Sequence, residues 1–64
     1  MKNRIRQERA EYHLSQAELA ERVGVSRQTI ISLETGKYIP STELALRLSK
    51  VFDKTVNELF FLED

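Results

Sequence analysis

The chain is 64 residues long, 41% apolar and 31% charged, the composition of a compact globular unit rather than of a disordered tail. Basic and acidic residues number ten each and cysteine is absent, so net charge announces no polyanionic partner, and a disulfide framework and a thiolate metal site are excluded. No apolar run reaches the roughly 18–20 residues that cross a bilayer, and the basic start leads into no signal-type stretch, so a cytoplasmic protein without membrane association is expected.

The first element expected is a helix over Lys2–Tyr12, and within residues 1–9 Lys2, Arg4, Arg6 and Arg9 outnumber the single acid Glu8. The other end is the reverse, with Lys54 outnumbered by Asp53, Glu58, Glu63 and Asp64, so that one end can face phosphates while the other avoids them. Ser15 followed three residues later by Glu18 is a capping-box pattern and starts a second helix over Gln16–Val23. Gly24 follows, at the place where a chain leaving a helix needs positive φ.

Ser26 is an N-cap candidate for a third helix over Arg27–Thr35, which ends at Gly36. Ser41, directly after Pro40, caps a fourth helix over Thr42–Phe52, and the pair Thr55 and Glu58 opens a fifth over Val56–Phe61. No strand is expected. The apolar residues at helical spacing, Ile5, Leu14, Leu19, Ala20, Val23, Val25, Ile30, Leu33, Ala45, Leu48, Phe52, Val56 and Leu59, are expected to form the core of an all-α, five-helix fold.

The stretch from Gln16 to Thr35 describes two helices crossing steeply around a tight turn. Ala20 is small enough for close approach, Gly24 permits the turn and Val25 fills the angle, so the third helix can project far enough to enter a major groove. With Ile30 and Leu33 inward, 100° per residue turns Arg27, Gln28, Ile31, Ser32 and Thr35 outward. Arg can hold guanine O6 and N7, Gln adenine N6 and N7, Ser several base edges, and Ile a thymine methyl, so Arg27, Gln28, Ile31 and Ser32 are the candidates for contact with bases.

Backbone contacts fix the register in which bases are read. The candidates are Gln16, at a helix N-terminus with free amides, Lys37 and Tyr38 in the loop before Ser41, and Thr35 and Thr29 on the third helix, Thr29 on its inward flank where it can equally support the first turn. Arg9 and Glu34 carry opposite charges near the apolar faces of their helices and are expected to pair.

On the fourth helix Leu44 and Val51 fall outside the face of Ala45, Ser49 and Phe52, so both are expected to be partly exposed. With Phe60, Phe61 and Leu62 they form an expected dimer interface. A two-fold dimer would favour an inverted repeat in double-stranded DNA with half-sites about 10 base pairs apart.

Gln16-Ala-Glu-Leu-Ala, Val23-Gly-Val-Ser-Arg-Gln-Thr-Ile, Leu33-Glu-Thr-Gly-Lys, Pro40-Ser and Val51-Phe resemble the Cro/C1-type, or xenobiotic-response-element type, of helix-turn-helix regulators. The resemblance implies a single lambda-repressor-like DNA-binding domain over residues 1–64 with its motif at 16–35. It also implies base contacts at Arg27, Gln28 and Ser32, a phosphate contact at Gln16, an ion pair of Arg9 with Glu34, and a homodimeric repressor. Thr42 stands where the family often has an apolar residue and Asp53 where it often has Gly. No cofactor, metal or small-molecule ligand is implied.

An enzyme is disfavoured by a single histidine, His13, at a helix end, and by serines Ser15, Ser26 and Ser41 that all have capping duties. A protein-interaction module on the same fold, such as an antitoxin or adaptor, stays open as the alternative. RNA is a weaker partner, because no exposed aromatic platform is offered to unpaired bases.

Overall fold

A computed structural model describes residues 1–63; Asp64 lies outside the described residues. The element order is β1 (Lys2–Asn3), α1 (Ile5–Glu11), α2 (Gln16–Val23), α3 (Arg27–Glu34), α4 (Thr42–Phe52), α5 (Val56–Leu59) and β2 (Phe60–Phe61). The helices start where side chains satisfy otherwise unpaired amides. The Ser15 and Thr55 hydroxyls accept from the N–H groups of Glu18 and Glu58, whose carboxylates return the bond to the cap backbone, and Ser26 and Ser41 cap α3 and α4 in the simpler way. The observed limits of α2 and α4 are those expected from the sequence, and α3 differs only in that Thr35 is its C-cap.

The two strands correct the expectation of a purely helical chain. β1 and β2 pair antiparallel, Lys2 with Phe61 and Asn3 with Phe60, so α1 begins three residues later than expected and α5 stops two residues earlier. Strands this short leave no period-two signal to read. The pairing joins the two ends of the sequence: the Arg4 amide donates to the Leu59 carbonyl at 2.8 Å, and the Asn3 carboxamide oxygen accepts from the Ile5 amide at 3.1 Å, which turns the chain from strand into α1.

The core joins all five helices. Ile5, Leu14, Leu19, Ala20, Val23, Ile30, Leu33, Ala45, Leu48, Phe52 and Leu59 are buried, and Val25 and Val56 pack against them half-buried. Leu44 and Phe60, expected at the surface, are buried too. On α4 the residues Leu44, Leu48, Phe52 and Ala45 occupy one arc of roughly 100°, so the inward face is centred on Leu48 and Phe52 rather than on Ser49. Phe60 turns inward because the chain is already extended there, and alternation along β2 sends Phe60 in and Phe61 out.

Among the described residues Glu8 is the one charged residue in the buried set, 1% exposed. Ile5 and Glu8 are three apart and so share the inner face of α1. Lys54 Nζ reaches Glu8 Oε1 at 3.1 Å, short but oblique for a hydrogen bond, and Arg4 Nε stands 3.9 Å from the other oxygen. The close approach of Glu8 to the ammonium, with coulombic attraction added to it, raises Lys54 above its ordinary pKa against the opposing effect of desolvation. No helix among the described residues is long and apolar enough to cross a membrane.

Candidate nucleic-acid interface

α2 and α3 pack on each other more extensively than any other pair of elements, through Leu19, Ala20 and Val23 on one side and Ile30 and Leu33 on the other. The turn between them uses Gly24 at φ 74°, after which the Val25 amide returns to the Ala20 carbonyl at 3.0 Å. A Cβ at Gly24 would lie 3.0 Å from Arg47 Nη1, the nitrogen that donates to the Val23 carbonyl at 3.1 Å. Backbone conformation and the Arg47 contact thus both favour glycine at this corner.

α3 presents Arg27 and Gln28 to solvent in its first turn, with Thr35 exposed at its far end. Ile31 and Ser32, expected fully outward, are half-buried. Ile31 lies in the wall of an open groove between α1, α2 and α3, lined also by Arg6, Arg9, Gln16, Arg27 and Glu34. Thr29 is half-buried and its hydroxyl lies 3.0 Å from that of Ser26, within the cap of α3. Lys37 and Tyr38 are exposed in the following loop.

The groove is organised around one carboxylate. Glu34 accepts from Arg9 Nε at 2.7 Å and Nη2 at 3.4 Å, and Arg9 Nη1 also donates to the Leu14 carbonyl at 2.9 Å. Gln16 Nε2 donates to the same carboxylate at 3.2 Å, while Gln16 Oε1 accepts from Arg27 Nη2 at 3.4 Å. The structure therefore brings Arg9, Gln16, Arg27 and Glu34 into one chain of contacts spanning α1, α2 and α3. Gln16 keeps one amide hydrogen free, and Arg27 keeps most of its five donors. Arg6, not among the expected contact residues, adds an exposed cation to the groove. Its signal in the sequence was its place three residues before Arg9, on the same side of a helix. With Glu34 already engaged by Arg9, the groove carries a surplus of positive charge.

Comparison with known proteins closes the question of kinship. A helix-turn-helix family model matches residues 5–59, from the first residue of α1 to the last of α5. The chain belongs to the Cro/C1-type helix-turn-helix family. It is 48% identical over all of its length, and over 91% of the relative's, to a protein of Archaeoglobus fulgidus named an uncharacterized HTH-type transcriptional regulator. Relatives bearing the same description are 47% identical in Methanocaldococcus jannaschii and 44% identical in Bacillus subtilis, each match covering the whole chain and 97% of the relative. This is a family of DNA-binding transcription regulators and not of enzymes.

Within this helix-turn-helix chain the two departures from the family pattern have different standing. Asp53, where the family often has Gly, sits at φ 52° as the C-cap of α4, so the position demands the left-handed conformation that glycine supplies freely. His13, at φ 55°, makes the same kind of exit from α1. Both residue types are among those that enter this region more readily than most. Thr42 is exposed at the first position of α4, at the edge of an apolar recess lined by Met1, Ala45, Val56 and Phe60.

Proposed function

We propose that the protein is a transcriptional repressor that inserts α3 into the major groove of a specific operator. The observation that carries this is the first turn of α3, where exposed Arg27 and Gln28 stand beside Gln16 at the N-terminus of α2, with Arg27 hydrogen-bonded to Gln16. Base-reading and phosphate-holding chemistry thus sit side by side. Arg27 would grip a guanine, Gln28 an adenine, and Ile31 and Ser32 would follow deeper in the groove. Gln16, Lys37, Tyr38 and Thr35 would hold phosphates, together with Thr29 if its hydroxyl leaves the cap. Such a protein acts where the DNA is, in the cytoplasm of a cell without a nucleus, as one helix-turn-helix unit over residues 1–64.

A homodimer fits the role, since a two-fold axis sets two reading helices roughly 34 Å apart on an inverted repeat. The surface for it is narrower than the sequence implied, because Leu44 and Phe60 lie in the core. Val51 is half-buried, and Phe61 and Leu62 are 39% and 84% exposed, leaving these three to meet a second copy.

Selection of bound duplexes from a random DNA pool tests the proposal. The expected product is a preferred, palindromic site, with preference abolished by Arg27→Ala combined with Gln28→Ala while the far-ultraviolet spectrum is unchanged. Folded protein that enriches no site would displace the proposal in favour of a protein-interaction module. Sedimentation showing monomer at every concentration would remove the dimer alone.

A further inference from the structure

The last turn of α3 is fastened from outside by more than the Arg9 to Glu34 pair. Asn3, in β1, donates its carboxamide Nδ2 to the Leu33 carbonyl at 2.8 Å, thirty positions away in sequence. That carbonyl does not need the bond, because the Gly36 amide already donates to it at 3.0 Å. The Asn3 oxygen meanwhile holds the Ile5 amide at the start of α1. One side chain therefore joins the entry to α1 with the exit from the reading helix.

The anchor behind Asn3 is firm. Asn3 pairs across the two-stranded sheet with Phe60, whose ring is in the core, and the next residue, Arg4, donates its amide to Leu59. The close fit extends to Gly36, where a Cβ would stand 3.2 Å from the Met1 carbonyl oxygen. At the opposite end, α3 is held by its own Ser26 cap, by the tight turn from α2 with the Val25 amide on the Ala20 carbonyl, by Ile30 in the core and by the long Arg27 to Gln16 bond. The aim of α3 is thus set at both ends, by its packing on α2 and by the fastenings of its C-terminal turn, one of which β1 supplies.

On the footing of the DNA-reading role above, we propose that Asn3 is a positioning residue for sequence recognition: its hydrogen bond to Leu33 fixes the aim of α3 without touching DNA. Since the Leu33 carbonyl stays satisfied without it, removing the bond disturbs orientation more than folding. Phosphate contacts from flexible lysines and arginines tolerate a small misalignment, whereas paired hydrogen bonds to base edges do not.

The test compares wild type with Asn3→Ser, a neutral change that leaves a hydroxyl able to serve Ile5 but too short to reach Leu33 as well. Affinities are measured on the preferred duplex recovered by selection and on a scrambled duplex of the same length. Affinity for the preferred duplex should fall about three- to tenfold, the worth of one neutral hydrogen bond. Affinity for the scrambled duplex and the salt dependence should hold. If Asn3→Ser does not fold, Asn3→Asp keeps the oxygen for Ile5 and lacks the donor, and its ratio of preferred to scrambled affinity is read instead. An unchanged ratio in the folded variant overturns the role of Asn3 alone. A wild type without any preferred duplex overturns the DNA-reading role on which it stands.

Discussion

Arg9 and Glu34 meet end to side, with Arg9 Nε 2.7 Å from Glu34 Oε2, although 25 positions separate them in the chain. Their side chains are 18% and 6% exposed, so the pair is largely sheltered from water. Glutamine in place of Glu34 keeps one oxygen to accept from Arg9 but removes the opposite charge and turns an amide donor toward the remaining donors of Arg9 and Gln16. Glu34→Gln is expected to cost about 1–3 kcal/mol in stability. Chemical denaturation of Glu34→Gln, Arg9→Met and the double variant measures it; additive losses would show that the two residues are not coupled.

The two capping boxes give the stability a dependence on acid. Glu18 and Glu58 are held below the ordinary carboxylate pKa of 4.5, first by hydrogen bonds from the backbone of Ser15 and Thr55 and then by their hydroxyls. A pKa lowered in the folded state means stability that is present above 4.5 and lost as pH falls through the folded values. Glutamine can close the same box without titrating. Glu18→Gln and Glu58→Gln should therefore show a melting temperature that declines less between neutral pH and pH values below 4.5 than that of wild type. An unchanged decline would mean that other carboxylates govern it.

Two left-handed corners should respond in opposite ways. Gly24→Ala places a Cβ at φ 74° and against Arg47, whose flexible end can shift while the backbone strain stays, and a loss of about 1–2 kcal/mol is expected. Asp53→Gly relieves strain at φ 52° but loosens the unfolded chain, so it should be neutral or stabilising by less than about 1 kcal/mol. Thermal unfolding of both variants decides the matter, and a destabilised Asp53→Gly would show that the aspartate side chain contributes something beyond its backbone.

Lys37 is exposed in the loop after α3 and has no ion pair among the described residues. Lys37→Ala should lower affinity for every duplex alike and reduce the slope of log affinity against log salt by about one. A change in which site is preferred, with the slope intact, would move Lys37 from phosphate holding to base reading.

The helix-turn-helix pair was legible because its signals are local. Ser15 with Glu18, Gly24 and Ser26 set the limits of α2 and the start of α3 within a few residues of sequence, and Ile30 with Leu33 determined which way Arg27 and Gln28 face. Features set by distant residues were not legible. β1 exists because β2 is there to receive it, and two residues carry no periodicity. Leu44 is interior because the inward face of α4 is centred between Leu48 and Phe52, roughly 50° from the centre of the expected face of Ala45, Ser49 and Phe52, a rotation that spacing alone cannot settle. Glu8 shares a helical face with Ile5, which was a readable sign of burial, but its partner Lys54 lies 46 positions on. Asn3, the outermost fastening of α3, gave no sign at all, since its acceptor is a backbone carbonyl and those look alike in any sequence.

The sheltered Glu8 makes the two ends of the polypeptide interdependent. A protease nick or truncation between α4 and Lys54 would strand a carboxylate in an apolar interior with Arg4, 3.9 Å away, as its remaining cation among the described residues. Pieces of this chain are therefore poor candidates for independent folding, and regulation by clipping would act on the whole molecule at once, discarding α3 along with the C-terminal segment.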